Sequence, residues 1–193
     1  WGGDQKKGDG ALDTKSCTYV THSYNRFWDS GKCNLQGMKS EKTTNYITYH
    51  HNWFDHSDSR HPRIRTCTVH IYNNYFDGNA KYGVGVTMGA SAFVENNYFR
   101  STASMKPMLS SGQGTDALGE GTFSGEAGGM IKSFGNICDC SASNLKLLTQ
   151  NNSSADQIDC YEASSRDEEV PESYKTAVGG TAYNNFDTAE DMY

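Results

Sequence analysis

Short apolar alternations recur along this chain, and each ends on an asparagine followed two positions later by a phenylalanine or a close substitute. Clear copies are Asn25-Arg26-Phe27, Asn52-Trp53-Phe54, Asn74-Tyr75-Phe76, Asn97-Tyr98-Phe99 and Asn136-Ile137-Cys138, with a weaker one at Asn184-Asn185-Phe186. Five residues before the first five asparagines stand Val20, Ile47, Val69, Ala92 and Ile131, and three before stand His22, Tyr49, Ile71, Val94 and Ser133. Positions two apart share one face of a strand, so each repeat predicts a short strand with a mostly apolar face, closed by an asparagine that tolerates the left-handed turn conformation.

The first intervals between these asparagines are 27, 22 and 23 residues, too short for a strand and a full crossover helix but right for one coil of a solenoid. The fold predicted is all-β, a right-handed parallel β-helix in which equivalent asparagines form a ladder and equivalent phenylalanines a stack. A β-sandwich is the competing reading. Later intervals of 39 and 48 residues are read as coils carrying loop insertions at 101 to 127 and 141 to 175.

A length of 193 residues suffices for one core, so residues 1 to 193 are taken as a single domain. The first residue is Trp1 and no signal pattern follows it, so targeting information is read as absent or removed, and the chain as a fragment of a longer one. No apolar run reaches the roughly 20 residues that span a bilayer, and the formal charge of −6 argues against nucleic acid as a partner. The six cysteines contain no CxxC pair, and leave disulfides and buried free thiols both open.

Stacked coils place residues at equal offsets from the asparagine in one column. Lys32, Arg60, Lys81 and Lys106 fall seven, eight, seven and nine residues after their asparagines, which predicts a basic stripe crossing four coils. Like charges at strand spacing repel unless an anion lies across them, so the stripe points to an acidic polymer, with Lys81, Lys106 and His61 as substrate contacts. Asp9 and Asp13, in Asp9-Gly10-Ala11-Leu12-Asp13, would cap the stripe as an oxygen site for a hard cation.

Asp9-Gly10-x-x-Asp13, Lys32, and Ser59-Arg60-His61-Pro62-Arg63-Ile64-Arg65 followed by Val69-His70-Ile71-Tyr72-Asn73-Asn74-Tyr75-Phe76 together resemble pectate lyases of polysaccharide lyase family 1. The resemblance runs from about residue 9 to 100. It implies β-elimination on de-esterified polygalacturonate, with Arg60 as the base that takes the C5 proton and Lys32 and Arg65 binding substrate and stabilising charge. Asp9 and Asp13 would hold Ca2+. Because arginine ordinarily stays protonated, such a base needs neighbouring cations, and an alkaline activity optimum follows. The implied protein is a secreted, extracellular monomer whose partner is acidic polysaccharide, with no nucleic acid or membrane involved. A non-catalytic polyuronate-binding solenoid and a polygalacturonase-type hydrolase are the alternatives, the second needing clustered aspartates for which only Asp55 and Asp58 are near.

Overall fold

The computed structural model describes residues 10 to 38, 41, 45 to 79, 82 to 101, 109 to 110, 129 to 140 and 159 to 171. These form a parallel β-helix with three strands per coil rather than the single one read from the repeat. One sheet joins β1 (Val20–Ser23), β4 (Tyr46–His50), β7 (Thr68–Tyr72), β10 (Ser91–Glu95), β13 (Met130–Phe134) and β15 (Asp159–Glu162). A second joins β2 (Arg26–Trp28), β5 (Trp53–Asp55), β8 (Tyr75–Asp77), β11 (Tyr98–Ser101) and β14 (Ile137–Cys140). The third joins β3 (Leu35–Gln36), β6 (Arg63–Arg65), β9 (Val84–Thr87) and β12 (Leu109–Ser110). Every strand pair is parallel, which excludes the antiparallel β-sandwich.

The register is the one the asparagine spacing predicts. Val20, Ile47, Val69, Ala92 and Ile131 are successive partners in the first sheet, and so are His22, Tyr49, Ile71, Val94 and Ser133. Phe27, Phe54, Phe76 and Phe99 stack inside the second sheet with ring centroids 5.2, 4.8 and 4.4 Å apart. With Ile64, Val84 and Val86 from the third sheet they form one continuous core.

Between the first and second sheets, the side-chain oxygen of each ladder asparagine accepts from the backbone N–H and the Nδ2 of its counterpart one coil earlier. The distances are 3.1 and 3.1 Å for Asn25 on Asn52, 2.9 and 3.0 Å for Asn52 on Asn74 and for Asn74 on Asn97, and 3.0 and 3.0 Å for Asn97 on Asn136. The left-handed residue is not the asparagine, as expected from sequence, but the one before it. Tyr24, His51, Asn73 and Asn96 take φ between 52° and 57°, and Gly135 takes 60°. That twist frees the asparagine to point inward along the helix axis.

Within the segments read as coils carrying insertions, the described residues include one strand each, β12 within 101 to 127 and β15 within 141 to 175, paired in parallel with β9 and β13. Residues 163 to 170 then fold over the outside of the first sheet. Ala163 and Val170 pack with Phe93 and Met130 in a second apolar cluster, and Arg166 reaches Glu95 at 2.9 Å. Burial acts to raise the Glu95 pKa, but hydrogen bonds from His70 and Arg166 outweigh it and hold the carboxyl below its ordinary value. The Asn184 repeat lies outside the described residues. Among the cysteines, Cys17, Cys33 and Cys67 are free and Cys138 is disulfide-bonded, so both chemistries left open by the sequence occur.

Candidate active site

The arginine segment leads from the second sheet into the third, and its geometry is set by hydrogen bonds to both neighbouring coils. Lys32 bridges Ser59, its carbonyl accepts from the N–H groups of Gly10 and Ala11 at 3.1 and 3.0 Å, and the Ser59 carbonyl accepts from Cys33 at 3.0 Å. Arg60 follows with φ 65°, its carbonyl accepting from Asn34 at 2.9 Å. The residue level with Lys32 is therefore Ser59, and Arg60 stands one position further on. Lys32 and Arg60 are thus staggered by one position, because their offsets of seven and eight are a real difference in register.

Beyond Arg60 the chain drops into the core. His61 is fully buried, its Nδ1 donates to the Tyr82 carbonyl at 2.6 Å, and its ring meets Phe54 edge-on at 5.4 Å. Burial lowers its pKa to about 4, so the ring is neutral across the working range of most enzymes. A side chain so closed off offers no surface for the substrate contact expected of it, and it anchors the turn that leads from Arg60 into β6.

In β6, Ile64 points into the core while Arg63 and Arg65 share the outer face, as strand alternation requires. Arg63 is 1% exposed, lying between Leu35 and Gly85 in register, whereas Arg65 is half-buried opposite Thr87. The Arg65 carbonyl sits so close to Gly37 that a Cβ there would come within 2.0 Å, so only glycine lets β6 seat against the preceding coil.

Asp13 stands one coil before Lys32 and three residues further along, level with Leu35 and Arg63, because Thr14 bridges Gln36. Its carboxylate is exposed, and Oδ1 accepts from the Leu35 N–H at 2.9 Å. Gly10 has φ 88°, and a Cβ there would lie 2.4 to 2.7 Å from the Asp13 carboxyl atoms. The carboxylate thus occupies space that any other residue at position 10 would fill, with one oxygen held by the backbone and the other available. That arrangement fits one ligand of a hard cation. Asp9, Lys81 and Lys106 lie outside the described residues.

Other groups are less suited to chemistry. Burial raises the thiols of Cys33 and Cys67 to about 12, which keeps them protonated and inert as nucleophiles. Among the described residues, Asp55, His56 and Asp77 could converge on a metal ion, but Asp55 already receives Arg26 at 2.5 Å and Asp77 lies 3.6 Å from Arg100. Burial acts to raise the Asp55 pKa, yet hydrogen bonds from His56 and Arg26 outweigh it and hold it below its ordinary value. A carboxylate fixed as an anion is a poor general acid, so Asp55 does not suit a hydrolase.

A family model described as pectate lyase matches residues 2 to 165. The chain belongs to the pectate lyase family. Similar proteins include a pectate trisaccharide-lyase of Bacillus licheniformis, 41% identical over 95 residues, which cover 48% of this chain and 28% of that protein. Pectate lyase B of Dickeya chrysanthemi is 39% identical over 98 residues, 50% of this chain and 26% of the relative. A pectate lyase of Bacillus subtilis is 33% identical over 101 residues, covering 46% and 24%. This chain therefore spans only about a quarter of the length of these relatives. The sequence carried no signal for the close seating at Gly37 or for the burial of Arg63 and His61, whose reasons lie in neighbouring coils. No helix among the described residues is long and apolar enough to cross a membrane.

Proposed function

We propose that the turns leading into β3 and β6, which carry Lys32 and Arg60, with Asp13 and the partly exposed Arg65 beside them, are the active site of a secreted, monomeric pectate lyase acting on de-esterified polygalacturonate. What supports this reading is that Asp13, Lys32 and the segment from Arg60 to Arg65 fall on three consecutive coils, about 4.8 Å apart by strand spacing. Polyuronate offers carboxylates at intervals similar to that spacing.

In this mechanism Lys32 and Arg65 pair with a uronate carboxylate, drawing charge away from C5 and stabilising the enolate-like state that forms when its proton leaves. Arg60, presented by a left-handed turn pinned to both neighbours, takes that proton. The C4–O4 bond breaks, the glycosidic oxygen leaves and takes a proton from solvent water, and a 4,5-unsaturated uronic acid remains at the new end. Ca2+ held by Asp13 and Asp9 would neutralise the carboxylate and acidify the C5 proton. Lys81 and Lys106 are proposed as further contacts to the polymer's carboxylates, and Arg63 as a structural residue of β6.

The test is incubation with polygalacturonate and calcium while following the ultraviolet absorbance of the unsaturated product, repeated with a chelator and with Arg60→Ala. Absorbance that needs both calcium and Arg60 supports the reading. Reducing ends without absorbance would indicate a hydrolase, and binding without either product a polyuronate-binding solenoid.

A further inference from the structure

A different corner of the coil carries a second built surface. Just after each of the three middle ladder asparagines the chain places an outward ring, and Trp53, Tyr75 and Tyr98 stand in register on β5, β8 and β11, with Arg26 and Ile137 at the two ends of the column. Their centroids are 6.1 and 5.7 Å apart. Just before each asparagine, the left-handed residues His51, Asn73 and Asn96 project on the other side. Between the two rows lies an open groove of about 490 Å³, with the buried amides of Asn52 and Asn74 at its base.

Among the described residues, no Asp, Glu, Lys or Arg lines the groove. The cations at its margin are matched by carboxylates: Arg26 lies 4.4 Å from the Trp53 ring but pairs with Asp55, and Arg100 donates to the Tyr75 hydroxyl at 3.2 Å while lying 3.6 Å from Asp77. A polyuronate brought here would lose hydration of its carboxylates with no unmatched cation to replace it. A neutral sugar chain would not. Its C–H faces suit aromatic rings, its hydroxyls suit the exposed amides of Asn73 and Asn96, and one ring with one polar group per coil is a periodic match for a periodic polymer.

We propose that this groove binds a neutral polysaccharide chain, giving the protein a second glycan site apart from the arginine face. The site is independent of the lyase reading, since it concerns binding and shares no residue with that face. It would hold the protein on wall material in which acidic and neutral glycans are mixed.

The test is calorimetric titration with cellohexaose, with β-1,4-galactan and, separately, with calcium-free polygalacturonate, for the chain as it stands and for Tyr75→Ala, Tyr98→Ala and Asn73→Ala. Tyr98 is 39% exposed and Asn73 is exposed, so those two changes leave folding intact even if Tyr75→Ala does not. At least one neutral glycan is expected to bind, about three- to tenfold more weakly for each ring removed, with turnover of soluble polygalacturonate unchanged. No neutral binding, or neutral binding indifferent to all three changes, would overturn the proposal. Groove variants that weaken polygalacturonate instead would assign it to the acidic substrate. A dimer seen by sedimentation and lost in Tyr98→Ala would assign it to a second copy of the chain.

Discussion

The asparagine corner and the arginine face are built from the same coils, yet one repeats its residues and the other does not. Down the ladder, Asn25, Asn52, Asn74, Asn97 and Asn136 make the same pair of hydrogen bonds coil after coil. Across the arginine face, the level shared by Leu35, Arg63 and Gly85 changes character at every step, and Lys32 faces Ser59. A uniform column satisfies each coil with its neighbour, which is a structural task. A varied column cannot stabilise itself that way, and its residues are set by something outside the stack. Arg60 and Asn74 are the sharpest test of the distinction.

Arg60→Ala should lower turnover by about a thousandfold, the scale for losing a positioned general base, while leaving the urea midpoint where it was. Asn74→Ala should do the reverse. It strands the buried N–H of Asn52 and the Tyr49 carbonyl and leaves Asn52 Nδ2 with only the His22 carbonyl, at a cost of about 2–4 kcal/mol in denaturant titration. If Asn74→Ala proved neutral in stability, the division between the two columns would fail.

His61 joins the two regions, being a core residue that holds a site turn. Its pKa falls from 6.5 unfolded to about 4 folded, so between those values the unfolded chain binds more protons and stability declines as pH drops through the window. The full loss is about 3 kcal/mol, read from denaturation midpoints at a series of pH values. His61→Asn can still donate towards the Tyr82 carbonyl but does not titrate, and should flatten that part of the acid limb. A slope unchanged in the variant would assign the acid sensitivity to other groups.

The smallest effect expected is at Gly10→Ala. A methyl group where the Asp13 carboxylate now lies should displace the carboxylate and raise the calcium concentration for half-maximal activity about tenfold. An unchanged calcium requirement would remove Asp13 from the metal role.

The contrast between columns also explains what could be read in advance. The ladder and the first sheet were legible because identical residues return at fixed intervals, and the register follows from them residue by residue. The third sheet was not, since β3 and β12 are two residues long and carry no period. β15 was hidden for a related reason: its coil closes without an asparagine, so Asp159–Glu162 read as loop. At the site, charge and spacing drew attention to Arg60, Arg65, Lys32 and Asp13. They also drew it to His61, whose burial comes from Phe54 and Tyr82, residues well separated in the chain and adjacent only once the coils stack.

The most direct test of the account is the pH dependence of unsaturated-product formation from polygalacturonate in saturating calcium, for the chain and for Arg60→Ala. Because arginine ordinarily holds its proton, a rate that climbs from neutral into alkaline pH and is abolished in a normally folded Arg60→Ala is the predicted result. A rate flat across that range, or retained in Arg60→Ala, would contradict it.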